Sequence, residues 1–279
     1  MKKHFSTVLY ICMFFVGLSV LLYPMVSNYW NSKVQSKVIT NYESVLKDMQ
    51  PEDYSEYFQK ADNYNSELSK LSFPLINYED VLDYDEILNI DGSGVIGYLD
   101  IDKIKLELPI YHSIRPEVLN IAAGHLPGTS LPVGGPGTHS VLSAHRGLPS
   151  AMLFTNLDKL QLGDVFTITV LDRVISYEVD QILIVEPHEM EALAIEENQD
   201  YCTLVTCTPY GINTHRLLVR GSRIENIQQK TKIFVPNEAI VIDPIVVTPV
   251  LAVPMLLVLM VILMFKYRSK DNRKGKRLE

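Results

Sequence analysis

The best candidate for covalent chemistry is Cys207, where the apolar run Tyr201-Cys202-Thr203-Leu204-Val205-Thr206-Cys207 stops at the turn Thr208-Pro209-Tyr210-Gly211. A cysteine attacks as its thiolate, and with a free pKa near ~8.5 it needs a histidine or arginine close by. On a strand, residues an odd number apart face opposite sides, so Cys202 and Cys207 sit in different environments. Cys202, inside the run, reads as a small buried hydrophobe, whereas Cys207 is delivered to a strand end beside a loop. Five strand residues at ~3.3 Å each separate the two by about 16 Å, beyond a disulfide's reach of roughly 4.4–6.8 Å. The third cysteine, Cys12, lies in an apolar N-terminal stretch, so the region outside that stretch carries thiols and no bridge, a pattern that points to chemistry.

Partners for the thiol come from seven histidines. His4 lies in a basic leader, His112 and His125 in turn-like sequence, and His188 in an acidic loop, which leaves His139, His145 and His215. His145 closes Ser140-Val141-Leu142-Ser143-Ala144-His145 and is followed by Arg146-Gly147, so it too stands where a strand becomes a loop. His139 precedes that strand, and His215 alternates with Arg216, so only one of those two can face a given site. A planar guanidinium binds a developing oxyanion in a way that an ammonium does not, and Arg146, Arg216 and Arg220 are the candidates. A surface ion pair in an acidic domain is the plainer role for each.

Short β-rich runs must position these residues: Val95–Ile101, Lys105–Tyr111, Ser140–His145, Val165–Val170, Val174–Val185, Tyr201–Cys207 and Arg216–Arg223. Turns such as Pro132-Val133-Gly134-Gly135-Pro136-Gly137 separate them, so the class is mainly β, a compact barrel or sandwich. Met152–Leu160 reads as a short helix between strands. Ahead of the β region, Val34, Val38, Tyr42, Val45 and Met49 recur at helical spacing, as do Tyr54, Phe58, Ala61, Asn65 and Leu68 after Pro51. Residues 72–93 are acidic and irregular and read as a linker or covering segment.

Two stretches, Thr7–Val26 and Val246–Phe265, are each 20 residues long and apolar enough to cross a ~30 Å hydrocarbon layer as helices. The first follows Lys2-Lys3 and has no Ala-x-Ala cleavage site, because the first alanine is Ala61, so a retained anchor is expected. The second precedes seven basic residues between Lys266 and Arg277, a cluster that stays on the cytoplasmic side, so both termini are expected in the cytoplasm.

Residues 27–245 carry 16 basic and 31 acidic side chains, a net charge of −15 that repels nucleic acid and sets that partner class aside. Glu186, Glu189, Glu191, Glu196, Glu197 and Asp200 supply hard oxygen ligands but no EF-hand spacing, so a solvated loop is expected, with no metal and no cofactor.

TLVTCTPYG at 203–211 and NTHRLLVRG at 213–221 resemble the cysteine and arginine signatures of the sortases, particularly the class C, pilin-polymerising members. HSVLSAHRGLPSAMLF at 139–154 resembles the histidine segment of that family, and GHLPGTSLPVGGPGT at 124–138 is similar to the same class. The resemblance covers roughly residues 94–225 and implies an eight-stranded β-barrel preceded by helices. It further implies catalytic His145, Cys207 and Arg216, a thioester formed with the sorting signal of a pilin subunit, and resolution by a lysine amine of the next pilin. The expected organisation is a leader at 1–6, a membrane helix at 7–26, and a helical and linker segment at 27–93. A catalytic barrel at 94–225, a linker at 226–245, a second membrane helix at 246–265 and a basic tail at 266–279 complete it. The implied location is the membrane of a Gram-positive-type bacterium with the catalytic domain outside. Rival readings are a housekeeping sortase that anchors proteins to cell-wall precursor and a non-catalytic assembly scaffold. A papain-like hydrolase needs its cysteine at a helix start, whereas Cys207 ends a strand. Class C members often carry an Asp-Pro-aromatic lid, but the nearest segment here is Leu71-Ser72-Phe73-Pro74-Leu75, so a loose or absent lid with Phe73 as its plug is expected.

Overall fold

The structure, a computed structural model, describes residues 2–81 and 83–226. The anticipated second span Val246–Phe265 and basic tail lie outside the described residues, as does all but the first residue of the 226–245 linker. The chain divides into two compact units, one containing residues 1–25 and the other residues 26–229. In the first unit Met13, Val16, Val20 and Leu21 are exposed among the described residues. By length and composition, the helix that carries them is apolar enough to cross a membrane.

Helix α1 (Lys2–Asp48) continues beyond the apolar run, and α2 (Pro51–Leu68) follows a turn in which the Gln50 N–H donates to Asp53 Oδ2 at 3.0 Å. The α2 stripe is the expected one: Phe58, Ala61, Asn65 and Leu68 are buried, and Asn65 also grips the Leu131 backbone through both its amide atoms. On α1 the expected line holds at Tyr42, which is buried together with Gln35 and Ile39, and Val38, Val45 and Met49 are half-buried, while Val34 is exposed. Tyr42 hydroxyl donates to Ile96 O at 3.2 Å and accepts the Leu171 N–H at 2.9 Å, so a polar group also fixes the rotation.

Residues 72–93 are more structured than a linker: α3 (Pro74–Asn77) and a 3-10 turn lead into a segment fastened to the barrel by Tyr84 and His112. Eight strands follow: β1 (Val95–Ile101), β2 (Leu106–His112), β3 (Ala123–His125), β4 (Thr138–Ser143), β5 (Val165–Val170), β6 (Arg173–Val185), β7 (Asp200–Thr208) and β8 (His215–Ile224). They close a barrel in the order β1-β2-β3-β4-β7-β8-β6-β5, with β2/β3 and β4/β7 parallel and the other pairs antiparallel. The barrel is the eight-stranded fold that the signatures implied. One strand, β3, has no counterpart among the seven sequence runs, and helix α4 (Pro116–Leu119) precedes it. The expected short helix after Met152 is 3-10, spanning Leu153–Lys159.

Alternation sorts the side chains. Leu142, Cys202, Leu204, Leu217 and Val219 point into the main core with Phe166 and Tyr177, whose rings stack at 5.5 Å. Val141, Val205 and Leu218 point the other way and join Leu183, Val185 and Leu193 in a second apolar cluster on the outer face of β4, β7, β8 and β6.

Candidate active site

The outer face of β4, β7 and β8 carries Cys207 and the residues beside it. Cys207 pairs directly with Arg216, and the next row on the same face pairs Val205 with Leu218. Strand β4 runs parallel to β7 and its last pair is Ser143 with Val205. The chain keeps alongside β7 for two further residues, because the Ala144 N–H donates to Val205 O at 3.2 Å and the Thr206 hydroxyl donates to Ala144 O at 2.8 Å. His145 is therefore abreast of Cys207, just past the strand that the sequence had it closing. Neighbouring strands are about 4.8 Å apart, so His145, Cys207 and Arg216 occupy consecutive chains in one row. All three are half-buried, reachable from solvent yet backed by protein.

The loop carrying His145 is held from both sides. The Phe154 N–H donates to His145 O at 3.1 Å, and the Gly147 N–H donates to Thr155 Oγ1 at 3.1 Å. Gly147 adopts φ +77°, a conformation that favours glycine, and a Cβ there would lie 2.8 Å from the Tyr210 ring, so the histidine loop packs closely against the cysteine loop. Arg146, weighed from sequence as an oxyanion ligand, turns away to Asp158 and donates to Thr208 Oγ1 at 3.2 Å. It ties the two loops together, a role that its position beside His145 did not announce.

The other candidates have different work. His139 is buried: Nδ1–H donates to Ala194 O at 2.8 Å and Nε2 accepts from the Thr203 hydroxyl at 2.7 Å, and burial lowers its pKa. His215 is paired in register with Thr208 and its Nδ1 lies 2.9 Å from Thr214 Oγ1. His112 and His125 lie at the end of β2 and in β3, not in turns. His112 Nε2–H donates to Ile87 O at 2.8 Å, and His125 Nε2–H donates to Ser130 O at 2.8 Å while Nδ1 accepts from Tyr84 Oη–H at 2.9 Å. Burial pushes the pKa of His125 down to about 3 and lowers that of His112 as well. Arg220 is engaged by both oxygens of Asp180 and stacks 4.0 Å from the Tyr201 ring. Arg216 donates only to the His215 and Asn213 carbonyls and, among the described residues, has no ion pair, which leaves its charge free for a ligand. Cys202 is fully buried, and burial raises its thiol pKa well above the ordinary value. Among the described residues no three histidine, cysteine, aspartate or glutamate side chains converge to hold a metal.

Leu75, not Phe73, is the residue of the 71–75 segment that reaches the second cluster: Phe73 is 63% exposed, and Leu75 packs with Val141, Val205 and Leu218. Gly128, at φ +83°, allows this, because a Cβ would lie 2.7 Å from both Leu75 Cα and Pro74 O. A separate cleft of about 970 Å3, lined by α2, the 134–137 loop, Arg173 and Arg223, opens at the opposite end of β4 and β7. Cys207 thus stands in one row with His145 and Arg216, next to the apolar cluster on the outer face of the sheet.

The sortase domain profile matches residues 99–224. Sortase C1 from Streptococcus agalactiae superposes with a TM-score of 0.62 at 44% identity, over 68% of this chain and 99% of that one. Sortase C from Clostridium perfringens, solved with the C-terminal cell wall sorting motif, gives 0.60 at 41% identity over 68% and 99%. A curated relative, sortase A of Bacillus anthracis, is 26% identical over 80% of this chain and 96% of its own length. The strand-end cysteine, the closed eight-stranded barrel and these matches agree, and the chain belongs to the sortase family of cysteine transpeptidases.

Proposed function

We propose that this chain is a membrane-anchored pilin polymerase with its catalytic domain outside the cell and both termini inside. The Cys207 thiolate attacks the carbonyl carbon of the Thr–Gly-type bond in a pilin sorting signal. Arg216 holds the oxyanion of the tetrahedral intermediate, and the protonated His145 imidazole gives its proton to the departing amine as the C–N bond breaks. A thioester remains on Cys207. A lysine amine of the next pilin attacks it, loses a proton to His145, and expels the thiolate, so an isopeptide bond replaces the peptide bond that was cut.

The observation that carries this reading is the single row of Arg216, Cys207 and the histidine loop on β8, β7 and the end of β4, beside the outer apolar cluster. Support for the pilin class comes from solved relatives at about two-fifths identity that are sortases C. The curated relatives called sortase A support the housekeeping reading at lower identity. Incubating the full chain with a purified pilin bearing a C-terminal sorting signal separates the two. A covalent ladder with lysine isopeptide links in its mass spectrum, lost in Cys207→Ala, is expected. Transfer to cell-wall precursor amines without any ladder would establish the housekeeping alternative.

A further inference from the structure

Within three turns of the end of the apolar stretch at Val26, helix α1 presents two sets of side chains. One set grips the catalytic domain: Asn28 Oδ1 accepts the Met152 N–H at 2.8 Å, Asn31 Nδ2 donates to Ser150 O at 2.7 Å, and Gln35 Nε2 donates to Ile121 O at 2.7 Å. The other set is Tyr29 and Trp30, which are 63% and 69% exposed. Beside the gripped carbonyls, Met152 and Ile121 are also exposed, at 42% and 44%.

Chain reach fixes where this rim lies. From Val26 to Asn31 is about 7.5 Å of helical rise, and the headgroup layer on each side of a ~30 Å core is roughly 5–8 Å thick. Asn28 and Asn31 therefore emerge at headgroup depth, and whatever is hydrogen-bonded to them sits there too. Tyrosine and tryptophan favour that depth, where an apolar ring and a polar atom are both satisfied. The acidic domain, at −15, is repelled by anionic headgroups, so contact here depends on apolar insertion and not on charge.

We propose that Tyr29, Trp30, Met152 and Ile121 form a membrane-contact rim that lays the catalytic domain on the lipid interface, with Asn28 and Asn31 as the clamps that hold it there. The loop clamped at 150–152 is the one that leads from His145 into Phe154, so this contact sets the histidine loop at a defined height above the acyl chains. The proposal rests on the reading of residues 7–26 as a bilayer span.

Trp30 is the only tryptophan in the chain and reports on its own depth. The full chain is reconstituted in phosphatidylcholine vesicles, isolated by flotation, and quenched with lipids spin-labelled near the headgroup or with aqueous acrylamide. In the Trp30→Phe/Met152→Trp variant the single reporter moves onto the catalytic domain. Lipid quenching of both reporters is expected, and it persists in ~1 M salt, where the screening length falls to about 3 Å. Adding Asn28→Ala and Asn31→Ala should abolish lipid quenching at position 152 and leave that of Trp30 intact. If the vesicles float with protein but the Met152→Trp reporter answers only to acrylamide, the domain stands clear of the bilayer and the proposal fails while the span survives. Lipid quenching that is absent at high protein density and appears only as protein is diluted into excess lipid would show that a second copy covers the rim, which also overturns it. Absence of flotation would remove the span and the rim together.

Discussion

Cys207 and Cys202 lie five residues apart on β7 and face opposite sides of the sheet, one half-buried beside Arg216 and the other fully buried in the core. Their substitutions should therefore part cleanly. On the proposed mechanism Cys207→Ala removes the nucleophile and should reduce peptide cleavage and polymer formation to background. Cys202→Ala removes only one buried sulfur's worth of packing and should keep most activity, with a modest loss of stability of about 1 kcal/mol. Arg216→Lys should fail as well, since a point charge cannot reproduce the forked donors, and one lost oxyanion donor costs on the order of 10²–10³ in kcat. Single-turnover cleavage of a sorting peptide checks all three variants; equal losses at both cysteines, or near-normal turnover in Arg216→Lys, would sink the assignment. Residue types carried much of this site. Cys207, His145 and Arg216 could be shortlisted from strand ends and alternation, but excluding His139 and Arg220 needed Thr203, Ala194 and Asp180, partners that lie 40 to 64 residues away in the chain.

At the scale of elements, the segment before the barrel packs on the outer cluster through Leu75. Ser72 supplies no carboxylate to pair with Arg216, Phe73 is exposed, and only the partly buried Leu75 holds the segment to the outer cluster. Full burial of a leucine contributes about 1.5–3 kcal/mol, and half of that corresponds to roughly a tenfold change in an opening equilibrium. Leu75→Ala should then speed alkylation of Cys207 by a small thiol reagent, followed by mass spectrometry of the 201–216 peptide, by about tenfold or less. Acceleration beyond about 100-fold would mean that this segment closes the site far more firmly than one leucine can. The role of Leu75 was not legible, because an isolated apolar residue after a proline has no periodicity to give its direction. The same limit hid β3, whose three residues are too few to alternate, and the contacts of Asn28, Asn31 and Gln35 on α1, which as polar groups add nothing to an apolar pattern. Helix α2, by contrast, buries an unbroken stripe and was read correctly.

For the whole molecule, acidity offers a test of how the covering segment and barrel are joined. His112, His125 and His139 are buried and each is hydrogen-bonded to a backbone carbonyl that ties β2, β3 or β4 to a neighbouring loop. Burial lowers all three pKa values, that of His125 to about 3, whereas an unfolded histidine titrates near ~6.5. Between those limits the unfolded chain binds protons that the folded chain excludes, so these groups contribute stability that is complete above ~6.5 and is lost as the pH falls. Each can contribute a slope of up to about 1.36 kcal/mol per pH unit. An opposing effect exists, because protonating carboxylates relieves self-repulsion in a domain that carries a net charge of −15. Free carboxylates titrate near ~4, so that relief belongs to lower pH and leaves the interval from about 7 to 5.5 to the histidines. Melting of the full chain in detergent should accordingly move to lower temperature across that interval, with net proton uptake on unfolding. His139→Gln, which keeps a donor for Ala194 O and an acceptor for Thr203, should lessen the slope by at most one proton. A melting temperature unchanged from pH 7 to 5.5 would mean that the buried imidazoles are not held neutral, and that the histidine clamps joining segment and barrel are open in solution.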